Sequence, residues 1–273
     1  MPILADYHMH SSFSGDSRAP MQDMAARAIA LGYQEICFTE HMDLHYPASE
    51  ECPEGMFLLN TDSYLYDLLR AREKFGEQIN IKFGVELGLQ PDYLKEISDY
   101  ARSYDFDFII GSTHVVQHQD PAFPSYYEGI STEEGYRAYF NEILTSIRSF
   151  TNFDIYGHID YVIRYSKTKD LNYCYEQYAD IFDPIIETLI ANGKGIEINT
   201  GGYKAGLGVP NPTPDVIRRY RELGGEKITF GADAHKPEHI AFHFADAAAI
   251  AQEAGFRYYV RFKEKKPEYL PIQ

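Results

Sequence analysis

The chain has 273 residues, 44% of them hydrophobic and 24% charged, a globular composition that excludes a disordered polypeptide. No apolar run reaches the length of a membrane span, and a formal net charge of −16 makes a long nucleic acid a poor partner, because its phosphate backbone would be repelled. The same acidity suits bound cations and amine-bearing substrates.

Strand and helix signals alternate from one end to the other. Short apolar runs at 3–7, 35–39, 81–85, 106–111, 154–157, 195–199 and 228–231, with a later one at 256–262, suit buried parallel strands. Pro20 opens the first helix, which turns Met21, Met24, Ala25, Ala28 and Ile29 to one face and ends at Gly32. Leu65, Leu68 and Leu69 mark a second helix, and Leu94, Ile97, Ala101 and Tyr104 a third. Ser131 and Glu134 form a capping box before Tyr136, Phe140, Ile143 and Ile147. Tyr175, Ala179, Phe182, Ile186, Leu189 and Ile190 line the next helix, closed by Gly193. Thr213-Pro214 and Lys236-Pro237 start the last two, which stop near Gly224 and Gly255. Such alternation predicts βαβ units and a parallel sheet, in one domain spanning residues 1–273. A barrel of this kind commonly uses about 250 residues. Two long irregular stretches, 42–61 and 117–129, follow strand ends, where loops build active sites on a barrel.

Three cysteines, Cys37, Cys52 and Cys174, are too scattered for a disulfide framework. The opening MPILADYHMH lacks the basic and apolar regions of a signal peptide, so a reducing cytoplasm is the expected setting. Homo-oligomerisation is left open by the sequence.

Histidines and carboxylates fall at strand ends. His8 and His10 are two apart in an extended segment and face one side, so both imidazoles can point at one ion. Asp16 follows in Ser-Gly-Asp-Ser. Glu40-His41, Glu86, His114, His158, and the pair Asp233 and His235 end further strands. In a closed barrel these ends meet at one mouth. That is too many groups for one ion, which takes three or four protein ligands, and about right for three. Left without cations, the carboxylates would repel one another at a cost of several kcal/mol each.

These residues sit in Phe38-Thr-Glu-His41, Gly84-Val-Glu-Leu-Gly88, Gly111-Ser-Thr-His114, Gly157-His-Ile-Asp-Tyr161, Glu197-Ile-Asn-Thr200 and Gly231-Ala-Asp-Ala-His235. In order and at strand ends, the segments resemble the polymerase and histidinol phosphatase (PHP) superfamily, in particular its histidinol-phosphatase branch. The resemblance implies a distorted (β/α)7 barrel of the α/β class, with a trinuclear metal centre at the C-terminal ends of the strands. It implies that His8, His10, Glu86 and Asp233 hold one ion. Glu86 would bridge to a second, completed by His114 and His158, while Asp16, His41 and His235 hold the third. Glu40 would orient a neighbouring imidazole.

The implied activity is hydrolysis of L-histidinol phosphate, a small phosphorylated substrate, by in-line attack of a metal-bridging hydroxide. Another small phosphomonoester or a nucleotide is the alternative. Asp233, Glu86 and His235 are the expected catalytic groups, and zinc, iron and manganese all suit the mixed ligands. Arg164 resembles an arginine expected near the substrate phosphate, where a guanidinium holds two oxygens at once. Lys204 is a further phosphate-binding candidate, and His45 and His118, in the long loops, are candidates to touch substrate. Those loops also carry Asp43, Tyr46, Glu50, Glu51, Glu54, Tyr126, Tyr127 and Glu128, a composition suited to a cationic ligand.

Some signals are discounted. His235, His239 and His243 are four apart, but Pro237 leaves only His239 and His243 on one helix face, where they read as surface residues. The segment 201–208 is glycine-rich yet lacks a nucleotide-cradle pattern, so it reads as a loop.

Overall fold

Polar residues that follow the apolar runs continue the sheet in its first three strands and lie just beyond the strand ends in the others. A computed structural model describes residues 3–166, 173–263 and 265–272. Seven parallel strands follow one another in chain order: β1 (Ala5–Met9), β2 (Glu35–Met42), β3 (Asn80–Gly88), β4 (Phe108–Ser112), β5 (Ile155–Tyr156), β6 (Gly195–Asn199) and β7 (Ile228–Gly231). His8, Glu40, His41 and Glu86 therefore lie inside strands. Hydrophobic alternation fails at these positions because the sheet's upper rim faces a polar interior, while the backbone ladder runs on through His41 beside Glu86.

The outer helices are α1 (Met21–Ala30), α2 (Thr61–Phe75), α3 (Leu94–Ser103), α4 (Thr132–Ser149), α5 (Ala179–Ala191), the four-residue α6 (Gly201–Lys204), α7 (Pro214–Glu222) and α8 (Phe244–Glu253). The Ser131–Glu134 capping box forms as the sequence indicates. Three expectations are corrected. Lys236-Pro237 starts a 3-10 turn, Pro237–His239, and not the last helix; α8 begins at Phe244, after His243 in a left-handed conformation. His239 and His243 therefore share no helix face. The glycine-rich loop opens with α6. The final apolar run does not extend the barrel. It forms β8 (Tyr258–Lys263), antiparallel to β9 (Lys266–Pro271), which the sequence did not reveal.

β1 and β7 bring the two edges of the sheet together. A parallel bridge joins Met9 to Ala234, His10 N donates to Ala234 O at 2.9 Å, and Asp233 N donates to His8 O at 2.8 Å. The buried Asp6 carboxylate reinforces this seam, accepting from Ala232 N (3.0 Å), Ala241 N (3.1 Å) and His8 N (3.3 Å). The β8–β9 hairpin packs beneath. Phe262 lies 5.0 Å from Phe108, whose ring meets Tyr7 edge-on at 4.9 Å, and Phe262 N donates to the Tyr7 hydroxyl at 2.7 Å.

Asp6→Ala leaves buried N–H groups of both edges without acceptors, each costing about 1–3 kcal/mol. Urea unfolding should show a loss of at least about 2 kcal/mol, with the slope unchanged.

Candidate metal centre

Glu86, at the upper end of β3, is fully buried, and its two oxygens face different imidazoles. Oε2 lies 3.0 Å from His41 Nδ1, 3.2 Å from His8 Nε2 and 3.6 Å from His10 Nε2. Oε1 lies 2.9 Å from His158 Nε2 and 3.2 Å from His114 Nε2, and accepts from Ser112 Oγ at 2.7 Å. Asp233 Oδ1 lies 3.6 Å from His10 Nε2, 3.8 Å from His8 Nε2 and 3.6 Å from His235 Nδ1. Asp16 closes the outer side, 2.9 Å from His235 Nε2 and 3.5 Å from His41 Nε2.

All nine expected ligand residues are thus gathered at one rim, and four overlapping triplets have ligand atoms close enough for an ion: His8/His10/Asp233, His8/Glu86/His158, His41/Glu86/His114 and His10/His41/His235. The grouping is less segregated than the sequence implies, since His41 stands between Glu86 and Asp16 and joins two triplets. The His10 ring packs against those of both His41 (4.2 Å) and His235 (4.3 Å), which themselves lie 6.0 Å apart, so the three rings form a corner.

The donor set fits divalent ions. His8 Nε2 and His10 Nε2 are 3.1 Å apart. Two nitrogens at about 2.0–2.1 Å from one ion, subtending roughly 100°, are separated by this distance. His41 Nδ1 and His235 Nε2 have only carboxylate oxygens beside them, those of Glu86 and Asp16, while buried Asp43 Oδ2 and His158 Nδ1 have no hydrogen-bond partner. Burial raises the pKa of Glu86, but His8, His114 and His41 outweigh it and hold the carboxyl well below its usual range. Asp233 is likewise held low against burial by His8, Lys204 and Arg164. Burial, with His41, His235 and His8 adding to it, holds the His10 imidazole well below its ordinary value, and burial lowers His158 too. These two imidazoles keep a lone pair for a cation, whereas His8, His41 and His114 are raised against burial by Glu197, Asp16 and Asp43, so a cation bound there would displace their protons.

Residues outside the expected set hold these ligands in place. Glu197 Oε1 lies 2.7 Å from His8 Nδ1, while its Oε2 accepts from His158 N and Asn199 Nδ2, both at 3.0 Å. Asp43 Oδ1 lies 2.7 Å from His114 Nδ1. A Cβ on Gly88 would overlap the Asp43 carboxylate, and one on Gly231 would overlap Glu197 and His8. Glu40 accepts from Ser11 N and from Ser14 Oγ (2.6 Å), and that Oγ lies 3.0 Å from His10 Nδ1, an indirect link to an imidazole.

The open side is a cavity of about 130 Å³ lined by Asp16, His41, His114, His158, Asp233 and His235 on one wall and by Tyr46, Phe57, Tyr161, Arg164 and Tyr165 elsewhere. Arg164 donates from Nε to Asn211 Oδ1 (2.8 Å) and from its two terminal nitrogens to Asp233 Oδ2 (3.2 Å) and Asn199 Oδ1 (2.9 Å), with its guanidinium 5.0 Å above the Tyr161 ring. Lys204 is placed differently from expectation: its ammonium donates to the main-chain oxygen of Asp233 and does not line the cavity. His45 and His118 also stay outside. They flank Tyr93, with His45 Nε2 3.1 Å from Glu96 and His118 Nε2 3.4 Å from Asp92, because left-handed backbone at both histidines turns them to the surface. A larger groove of about 600 Å³, beside the β8–β9 hairpin, contains none of these groups.

The PHP domain family matches residues 6–201. The chain is 32% identical over 265 residues to the histidinol-phosphatase of Lactococcus lactis subsp. lactis (strain IL1403), covering 96% of this chain and 95% of that protein. It is 29% identical over 258 residues to a protein of Clostridium acetobutylicum named "Probable histidinol-phosphatase", covering 93% and 95%. The crystal structure of the L. lactis histidinol phosphate phosphatase, complexed with zinc, L-histidinol and phosphate, superposes with a TM-score of 0.87 at 30% identity, covering 97% of this chain and 98% of that one.

Stripping divalent metal with a chelator should lower the melting temperature by roughly 5–10 °C, because a ligand at about 100 times its Kd adds about 2.7 kcal/mol. Re-addition should restore it; identical melting curves with and without chelator would count against the site.

Proposed function

The chain belongs to the PHP domain family, and from that membership we propose that it is a metal-dependent phosphomonoesterase converting L-histidinol phosphate to L-histidinol and phosphate. This places it in histidine biosynthesis. Support comes from relatives named for this activity across nearly the full chain, and from a neighbour that holds zinc, L-histidinol and phosphate on the same fold. The observation that carries the reading is a buried Glu86 set among imidazoles directly beside a guanidinium-lined cavity.

The cofactor is divalent metal, and we assign three ions. His8, His10, Glu86 and Asp233 would hold the first, Glu86 with His114 and His158 the second, and Asp16, which lies 3.5 Å from His41 and 2.9 Å from His235, would complete the third with those two imidazoles; zinc, iron and manganese all suit this donor set. When bound, the ions supply a water of lowered pKa and offset charge on the phosphoryl oxygens.

The protein's own groups do the rest. Glu197 and Asp43 fix the tautomers of His8 and His114, so that each turns Nε2 toward Glu86. Arg164 has five N–H groups, three of them occupied by Asn211, Asp233 and Asn199. One N–H remains on each terminal nitrogen, enough to hold two oxygens of a phosphoryl group. Tyr46, Phe57, Tyr161 and Tyr165 offer aromatic faces to an imidazole ring. The small cavity suits a compact phosphomonoester. Free Cys37, Cys52 and Cys174 fit a reducing cytoplasm. Among the described residues no helix is long and apolar enough to cross a membrane.

Phosphate release should be much faster from L-histidinol phosphate than from nucleotides or p-nitrophenyl phosphate; preference for a nucleotide would replace the assigned substrate. Arg164→Lys should lower kcat/KM by about 10²-fold, because lysine cannot keep the three anchoring contacts and still reach two oxygens. His158→Ala should reduce turnover by at least about 10²-fold, with near-UV circular dichroism unchanged.

A further inference from the structure

Asp233 combines three features. Its backbone is left-handed at φ 52°, a region that a non-glycine residue occupies only when its surroundings enforce it. Its N–H is tied to His8 O at 2.8 Å. Its carbonyl oxygen receives two side chains, the ammonium of Lys204 and, at 3.0 Å, Nδ1 of His235. A carbonyl has two lone pairs, so both contacts can be made at once.

We propose that Lys204 is a positioning residue. Its ammonium pins the Asp233 carbonyl, the same carbonyl takes the Nδ1–H of His235, and Nε2 of His235 is thereby left to face Asp16 at 2.9 Å as a ligand atom. Lys204 is placed for this and for no wider role. It ends the short α6 that follows β6, it is absent from the cavity wall, and its ammonium points at the Asp233 main chain. The phosphoryl-binding cation at the cavity is Arg164, which holds the side chain of the same aspartate. One residue is thus gripped by two cations, Arg164 at its carboxylate and Lys204 at its carbonyl. The inference rests on the metal-dependent reading of the site.

The test compares the wild type with Lys204→Met and Lys204→Arg, loaded with zinc. Zinc affinity is measured by chelator competition without substrate, and turnover is then measured on L-histidinol phosphate. Lys204→Met should loosen the weakest zinc site and lower kcat, each by about 10- to 100-fold, as loss of a ligand-orienting contact does. KM and the inhibition constant of inorganic phosphate should stay unchanged, and Lys204→Arg should recover most of both losses. If instead KM and the phosphate inhibition constant rise while zinc affinity holds, Lys204 contacts the phosphoryl group and the proposal fails. It also fails if neither quantity moves. Should the methionine variant not fold, Lys204→Gln decides by the same split. A wild type that binds zinc but leaves histidinol phosphate intact defeats the functional reading alone, because zinc affinity still judges Lys204.

Discussion

A carboxylate with no access to water is the constraint around which this molecule is arranged. Glu86 sits at the centre of the barrel mouth with imidazoles on both of its oxygens, and its charge is tolerable only because those rings, and the cations they can hold, surround it. Removing the imidazoles would leave an isolated buried anion; removing Glu86 would leave a crowd of nitrogens facing one another. Neither half makes physical sense without the other. The same reasoning extends outward to Asp233, which is balanced by His8 on one side and by Lys204 and Arg164 on the other.

The barrel makes this balance geometrically available. Seven parallel strands in chain order turn every C-terminal end the same way, so residues more than two hundred positions apart, such as His8 and Asp233, come within 4 Å. Closure is achieved with few bonds between β1 and β7, and the Asp6 carboxylate compensates by binding three backbone N–H groups across that junction. Small residues finish the fit: Gly88 and Gly231 leave room for the acids that steer His114 and His8.

Much of this was legible in the sequence. The two-residue spacing of His8 and His10 specifies a shared face, and the recurrence of acids and imidazoles after apolar runs locates the rim. What escaped has a physical explanation in each case. Glu197 reads as one residue of a buried strand, and its meaning appears only when His8, 189 positions away, arrives beside it. Asp43 reads as loop acidity until His114 is seen to need a partner. His45 and His118 carry suitable chemistry, but their side-chain direction is decided by a local left-handed backbone that residue type does not announce. The start of α8 and the strand β9 were missed because Pro237 looks like a helix opener and Lys266–Pro271 has little apolar alternation.

The packing of His10 against both His41 and His235 carries a further consequence. These rings serve as mutual van der Waals support as well as donors, at separations of 4.2 and 4.3 Å. Exchanging one of them for an acid, as an engineer might to favour a harder ion, would also open a void that its neighbours lean into. Retuning this rim toward another element therefore calls for compensating changes in adjacent rings, and its lineage is expected to vary there in concert and not one position at a time.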